Sequence, residues 1–136
     1  MFDGRRVLVV DDEFLVGLTT TDFLESIGCE VVGPAVRVAD ALDYARSEPL
    51  DAALLDINLA DEMVWPVAEI LRLKKVPFVF LSAFFGLNGL PEPFALDPSL
   101  PKPLEASRLL GHLHAMWDRY PAPGNGTLLP GRATPN

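Results

Sequence analysis

The sequence predicts an α/β domain in which five parallel strands form one sheet with helices on both faces. Two observations carry this prediction. Short runs of strand-forming apolar residues alternate with segments of helical length and spacing, and these runs are residues 5–10, 29–32, 51–56, 77–81 and a brief one near 99–100. The chain has 136 residues, 49% of them hydrophobic, and a domain of this size buries about two thirds of its unfolded surface without disulfides or a structural metal.

The first two helices are predicted from apolar residues that recur at helical spacing. The face of the first helix consists of Val16, Thr20, Phe23, Leu24 and Ile27. Gly28 closes this helix, because glycine readily adopts the left-handed conformation that ends helices. The second strand is expected to end at Gly33-Pro34. The second helix then follows, with a face marked by Val38, Leu42 and Ala45.

The third helix is predicted to begin close to Pro66, because proline is tolerated only in the first turn of a helix. Its apolar face is formed by Val64, Val67 and Leu71. After the fourth strand the regular pattern stops, and the residues that interrupt it are Gly86, Gly89, Pro91, Pro93 and Pro98. We therefore expect the fourth helix to be irregular or shortened.

A last helix is predicted over about residues 104–120. Its face is set by Leu110, Leu113 and Trp117. Residues 121–136 differ in kind, since they are rich in proline and glycine, carry almost no charge and show no periodicity. We expect one folded domain over residues 1–120 and a disordered tail over residues 121–136.

Polar side chains follow the apolar runs at the point where each strand ends. Sequential strands joined by right-handed crossovers fit the strand order 2-1-3-4-5 best, which makes strands 1 and 3 neighbours. Asp11 and Asp12 follow strand 1, and Asp56 ends strand 3. Ser82 follows strand 4, and Lys102 follows strand 5. Because the carboxyl ends of parallel strands share one edge, these five residues are predicted to meet there.

This group of residues suits phosphate chemistry. Carboxylates a few ångströms apart repel one another, so the three acids either take up protons or recruit a cation, and Mg²⁺ prefers such oxygen ligands. Asp56 can then act as a nucleophile toward phosphorus. Lys102 and Ser82 can stabilise the negative charge of the phosphoryl group. The sequence therefore predicts a phosphate-handling site that uses Mg²⁺.

Composition limits the partners and the compartment. Asp and Glu number 19 against 11 Lys and Arg, a net charge of −8, so nucleic acid is not expected as a direct partner. Cys29 is the only cysteine, which excludes an intramolecular disulfide and gives no support to a zinc site. No apolar run approaches the roughly 20 residues of a membrane span. The apolar run near the start, residues 7–10, is too short for the core of a signal peptide, so we expect none there. A cytoplasmic protein without membrane contact is expected.

The residues at this sheet edge resemble the receiver domain of two-component response regulators, over about residues 5–120. The resemblance implies a flavodoxin-like fold, in which the acids after strand 1 bind Mg²⁺ and the acid ending strand 3 accepts a phosphoryl group. The implied metal ligands are Asp11, Asp12, Asp56 and the backbone carbonyl of Asn58. It further implies that Ser82 and Lys102, which precedes Pro103, bind the phosphoryl group carried by Asp56.

A finer resemblance is to the stand-alone receivers of the FAT GUY type, which are found chiefly in alphaproteobacteria. It is carried by residues 77–85, by Gly33-Pro34-Ala35 and by residues 65–68. Leu81-Ser82-Ala83 stands where that subgroup has Ala-Thr-Gly.

Two positions depart from the receiver pattern. Ser99 stands where receivers usually carry a Tyr or Phe that reports phosphorylation, and Ala60 replaces a proline often seen four residues beyond the phosphoacceptor. The output surface is therefore expected to be remodelled. The candidate switch residues are Ser82, Phe84, Phe85 and Ser99.

The resemblance implies a single-domain response regulator, which is a signalling switch and not a metabolic enzyme. Asp56 would accept its phosphoryl group from a histidine kinase or a histidine phosphotransfer protein. Output would pass to a downstream protein or along a phosphorelay, with the chain a monomer or weak dimer.

Two alternative hypotheses remain open. A phosphorylation-independent adaptor is favoured by Ser99 and the interrupted fourth helix. An Asp-nucleophile phosphohydrolase would share the Asp, Mg²⁺, Ser and Lys set, but its nucleophile ends the first strand and is usually followed two residues later by Asp, where this chain has Glu13. Glu13 has two interpretations, a contribution to the acidic pocket and a first-turn helix acid favoured by the helix dipole, and we prefer the second.

Overall fold

A five-stranded parallel sheet organises the protein, as seen in a computed structural model that describes residues 1–82 and 90–119. The strands are β1 (Arg6–Val10), β2 (Glu30–Ala35), β3 (Ala52–Asp56), β4 (Asn58–Leu59), β5 (Glu62–Met63), β6 (Phe78–Ser82) and β7 (Ser99–Pro101). The sheet has the order β2-β1-β3-β6-β7, and all of its pairings are parallel. This is the expected 2-1-3-4-5 order, with β6 and β7 as the fourth and fifth strands. The flavodoxin-like fold class is confirmed.

Four helices are present in the described parts of the chain. They are α1 (Phe14–Ser26), α2 (Val38–Ser47), α3 (Trp65–Leu73) and α4 (Ala106–Arg119). Pro66 lies in the first turn of α3, and Gly28 follows α1 with a φ of 97°, as expected for both residues. No described helix is long and apolar enough to cross a membrane.

The central strands are buried on both faces, which is why they read as continuous apolar runs. Alternate residues of these strands pack with α2 and α3 in one core, whose members include Leu8, Val10, Ala53, Leu55, Phe80, Ala41, Ala45, Val67 and Leu71. The intervening residues Val7, Val9 and Leu54 face the other way and are also buried. Helix α1 contacts β1 and β2. Packing on both faces therefore sets where the carboxyl ends of the strands lie.

Strand β2 is longer than expected, and the prediction that it ends at Gly33-Pro34 was wrong. The strand continues to Ala35, which pairs with Val10 after a shift in register. Gly33 allows the irregularity with a φ of 100°, and a Cβ there would lie 2.8 Å from the carbonyl oxygen of Val9. Pro34 is tolerated because β2 is an edge strand, where a missing N–H costs no hydrogen bond within the sheet.

A small antiparallel hairpin, formed by β4 and β5, lies between β3 and α3 and was not predicted. Asn58 pairs with Met63, and Leu59 pairs with Glu62. Ala60 occupies the turn with a φ of 55°. Two-residue strands leave no periodic signal, and alanine gives no indication of a left-handed turn.

Helix α4 belongs to a second compact unit that begins at Glu105. Its buried residues are Leu109, Leu113 and Trp117, whereas Leu110 is only partly buried. The buried residues recur every four positions, so the face begins at Leu109. The prediction that it begins at Leu110 was wrong. Between β6 and β7, the described residues 90–98 contain no helix, in line with the interrupted pattern. Residues 83–89, with switch candidates Phe84 and Phe85, and the tail over residues 121–136 lie outside the described residues.

Candidate functional site

Four strands of the sheet deliver polar residues to one edge. Asp11 follows β1, Asp56 ends β3, Ser82 ends β6 and Lys102 follows β7. Asp11 and Asp56 are almost completely buried, with 1% and 7% of their surfaces exposed, and Ser82 is buried as well. Asp12 is the exposed member of the acidic group. The structure therefore brings together the residues that the strand order predicted to meet.

The three aspartates form a compact cluster of oxygen donors. One carboxylate oxygen from each of Asp11, Asp12 and Asp56 lies within 4.8 Å of the others. Asp11 Oδ1 accepts a hydrogen bond from the Glu13 amide at 2.9 Å, and Asp12 Oδ2 accepts one from the Ala60 amide at 2.8 Å. Hard oxygen donors at this spacing suit Mg²⁺, which binds through one or two carboxylates and keeps further positions for water or phosphate. The donor set therefore fits the expected cation.

Lys102 supplies positive charge to this cluster. Its Nζ lies 3.1 Å from Asp11 Oδ2, 3.1 Å from Asp56 Oδ2 and 3.2 Å from Glu13 Oε1. Burial opposes the charge on Lys102, but the contacts with Asp11 and then Asp56 outweigh it, so the pKa of Lys102 is raised. The ammonium therefore remains charged throughout the neutral pH range.

Asp56 is held in a setting that disfavours its charge. Burial raises the pKa of Asp56 to about 6; Lys102 acts in the opposite direction, and the nearby Asp11 and Asp12 add to the increase. A carboxylate in this position gains from any further cation that enters the cluster. The electrostatics therefore favour cation binding next to the predicted phosphoacceptor.

Glu13 takes a different place from the one expected. It lies immediately before α1, makes no capping hydrogen bond with its side chain, and contacts Lys102 instead. Its place beside the acidic pocket was the less favoured interpretation, and the contact with Lys102 itself was not predicted, because 89 residues separate the two. Glu13 is exposed, so its carboxylate extends the acidic cluster toward solvent.

Asn58 and Ser99 lie where the sequence order places them. Asn58 is exposed at the start of β4, two residues beyond Asp56. Ser99 begins β7 and pairs with Phe80 of β6. The backbone N–H of Lys102 donates to the Ser82 carbonyl at 2.8 Å, which joins the ends of β6 and β7. Their roles in metal binding and switching stay predictions.

An aromatic cluster not foreseen from the sequence lies between α3 and the segment that leads to β7. It consists of Trp65, Phe78, Phe80 and Phe94, with Trp65 stacked on Phe94 at a ring-centroid distance of 5.1 Å. Arg72 lies over the rings of Phe78 and Phe94 and forms an ion pair with Asp97. Phe94 thus places a buried aromatic ring close to β7, the strand in which Ser99 stands at the usual position of an aromatic residue.

The curated proteins similar to this chain include sensory transduction and response regulator proteins. No family profile matches the sequence. The sensory transduction protein LytT of Bacillus anthracis is 36% identical over 110 residues, covering 77% of this chain and 44% of LytT. The cell cycle response regulator CtrA of Brucella ovis is 29% identical over 82% of this chain and 49% of its own length. The chain therefore spans about half the length of these curated relatives.

Solved structures are also similar to this chain. SdrG from Sphingomonas melonis Fr1 has a TM-score of 0.72 and 35% identity, and the match covers 85% of this chain and 98% of SdrG. A response regulator receiver domain from Methylobacillus flagellatus has a TM-score of 0.69 and 26% identity, covering 84% of this chain and 99% of that one. The fold and the acidic edge, by which we mean the sheet edge that carries Asp11, Asp12, Asp56, Ser82 and Lys102, agree with these similarities. Together they show that the chain belongs to the response regulator receiver (CheY-like) domains.

Proposed function

We propose that this receiver domain accepts a phosphoryl group on Asp56 from a histidine kinase or a histidine phosphotransfer protein. It then signals through a protein partner or passes the group along a phosphorelay. Receiver domains are signalling domains and not classical enzymes. The observation that carries the proposal is Lys102 Nζ, placed 3.1 Å from both Asp11 and Asp56 beside a carboxylate cluster suited to Mg²⁺.

The chemistry requires little from the protein beyond position and charge. A carboxylate oxygen of Asp56 attacks phosphorus while the bond from phosphorus to the donor's imidazole nitrogen breaks, which leaves an aspartyl phosphate. Asp11, Asp12, Asp56 and the Asn58 carbonyl would hold Mg²⁺, which supplies charge neutralisation for the phosphoryl oxygens. Lys102 exchanges part of its contact with Asp56 for the new phosphoryl oxygens. Ser82, at the end of β6, offers them a hydroxyl donor.

Mass spectrometry after incubation with acetyl phosphate tests this function. We expect a base-labile adduct of about 80 Da that forms with Mg²⁺ and fails to form with a chelator. Peptide mapping should place the adduct on Asp56. If neither acetyl phosphate nor a phosphorylated histidine phosphotransfer protein labels the chain, the phosphorylation-independent adaptor becomes the better hypothesis.

An exposed apolar patch at the start of α1 supports a protein as the phosphoryl donor. Phe14, Leu15 and Leu18 form the patch, and the first two expose 73% of their surfaces. Leu18 follows Phe14 by four residues and Leu15 by three, and side chains at these two spacings are neighbours on a helix surface. The patch directly follows Asp12 and Glu13 in the chain, so a protein that covers it reaches the acidic edge. We propose that the phosphohistidine protein docks on this patch.

Replacing Leu15 by Glu should slow transfer from a phosphohistidine protein by about tenfold, because a charge would be desolvated at the docking surface. Labelling by acetyl phosphate should not change, because this small donor needs no docking surface. The fold should persist, since an acid near a helix N-terminus is favourable. Leu73→Glu is the matched control, because Leu73 is 80% exposed at the end of α3. Equal rates for L15E and L73E would contradict the docking site.

We also propose the FAT GUY subgroup and a cytoplasmic setting. The supporting features are the Phe-rich β6 and the Gly33-Pro34-Ala35 segment, which forms the end of β2 beside the acidic edge. A phosphohistidine donor, as found in two-component signalling, fits that setting.

A further inference from the structure

We propose that Ala60 is a positioning residue for the metal site and that its backbone amide holds the Asp12 carboxylate in place for the cation. This inference rests on the proposed function, because it assumes that the aspartate cluster binds Mg²⁺. It adds a group that belongs to the hairpin and lies outside the ligands implied by the receiver pattern.

The three aspartates of the cluster differ in their burial and in the contacts that hold their carboxylates. Asp11 is buried and contacts both Lys102 and the Glu13 amide. Asp56 is buried and contacts Lys102. Asp12 is exposed, and its Oδ2 accepts the Ala60 amide at 2.8 Å across 48 residues of sequence. A backbone donor on one oxygen restricts rotation of an exposed carboxylate and offsets part of the repulsion from its neighbours.

The backbone of Ala60 is unusual in a way that serves this contact. Its φ of 55° lies in the left-handed region, where residues with a Cβ are disfavoured. Such a conformation persists only where the surroundings determine it, and such residues cluster at functional sites. Here the pairing of Leu59 with Glu62 fixes the turn on both sides. The strained turn directs the amide of Ala60 toward Asp12.

The residue type at position 60 makes this contact a property of this chain. Many receivers carry proline four residues beyond the phosphoacceptor. Proline has no N–H and fixes φ near −65°, so it could neither donate to Asp12 nor adopt the conformation of Ala60. Alanine at this position therefore permits a hydrogen bond that the common receiver pattern excludes.

The same contact ties two parts of the proposed metal site together. Ala60 lies two residues beyond Asn58, whose carbonyl is a proposed ligand, in the hairpin that Asp12 holds. Ordering Asp12 and the hairpin before the cation arrives lowers the entropy cost of binding. Affinity for Mg²⁺ should therefore depend on the amide at position 60.

Calorimetric titration with Mg²⁺, in the absence of any phosphoryl donor, compares two variants with the wild type. Ala60→Pro removes the amide and should raise the Kd five- to tenfold. Ala60→Gly keeps the amide, relieves the positive φ and should stay within twofold of the wild type. Wild-type affinity in A60P overturns the inference, and so does an equal loss in A60G, because the amide would then not be the cause.

Amide NMR of the wild-type protein gives a second test that does not depend on A60P folding. The Ala60 amide proton should be shifted downfield and protected from exchange without metal, and Asp12→Ala should abolish both effects. If Asp12→Ala leaves the chemical shift and the exchange protection of the Ala60 amide unchanged, the inference is overturned. Failure of the wild type to bind Mg²⁺ or to be phosphorylated instead counts against the proposed function, and the NMR result distinguishes the two.

Discussion

Asp56→Asn is expected to abolish labelling by acetyl phosphate and by any phosphohistidine protein that labels the wild type. The amide has nearly the shape of the carboxylate but lacks the nucleophilic oxygen that must attack phosphorus. The adduct should fall below about 1% of the wild-type level, as measured by intact-protein mass spectrometry. The fold should persist, because burial raises the pKa of Asp56 to about 6 and the neutral Asn avoids an ionised carboxylate in that setting.

Asp61→Asn serves as the matched control for this experiment. Asp61 is an exposed aspartate in the turn between β4 and β5, so its substitution changes the same net charge near the same edge. It should be labelled like the wild type. Persistent labelling of D56N at another carboxylate would refute the assignment of Asp56 as the phosphoacceptor.

Lys102→Met is expected to destabilise the protein by about 3 kcal/mol at about pH 8 without Mg²⁺, because removing one partner leaves buried carboxylates uncompensated. The Lys102 side chain is 10% exposed and contacts Asp11, Asp56 and Glu13, so little solvent screens these charges. Urea denaturation at fixed pH measures the difference. Phosphorylation should be lost in parallel, since the cation that compensates the phosphoryl oxygens is gone.

The loss should be smaller near pH 5. Because the pKa of Asp56 is raised to about 6, its contribution to stability is fully present below its unfolded value of about 4 and is lost as the pH rises through about 6. Above that range the folded protein holds an ionised Asp56 that needs Lys102. The raised pKa of Lys102 keeps its own contribution present up to about pH 10.

Lys75→Met controls for the loss of a positive charge in general, because Lys75 is exposed two residues beyond the end of α3. It should change stability by less than about 0.5 kcal/mol at either pH. A Lys102→Met penalty that is the same at both values would mean that Lys102 contributes by packing and not by charge.

The core of the site could be predicted from sequence because two independent patterns agree. Buried parallel strands read as apolar runs, and the strand order brings their carboxyl ends to one edge, so Asp11, Asp56 and Lys102 could be placed together without coordinates. The contact of Glu13 with Lys102 could not, because an exposed acid before a helix has many local uses.

Other features were missed because their causes are not periodic. The hairpin of β4 and β5 depends on Ala60 in a conformation that alanine rarely adopts, and β2 continues through Pro34 only because it forms the sheet edge. Phe94 comes from a segment rich in proline, and its packing on Trp65 is a tertiary contact without a local signal. Such contacts become visible only in three dimensions.

The parallel sheet also has a consequence for folding kinetics. Val7 pairs with Val31 on one side and with Ala52 on the other, so the sheet forms only when distant segments meet, and such topologies fold more slowly than helical bundles. Lys102 lies beyond the last strand and is the last residue of the acidic edge to leave the ribosome. A nascent chain that pairs β1 with β3 early therefore brings Asp11, Asp12 and Asp56 together before the ammonium group of Lys102 is available. Docking of β7 is thus the step at which the positive charge of Lys102 comes to offset the negative charge of Asp11 and Asp56.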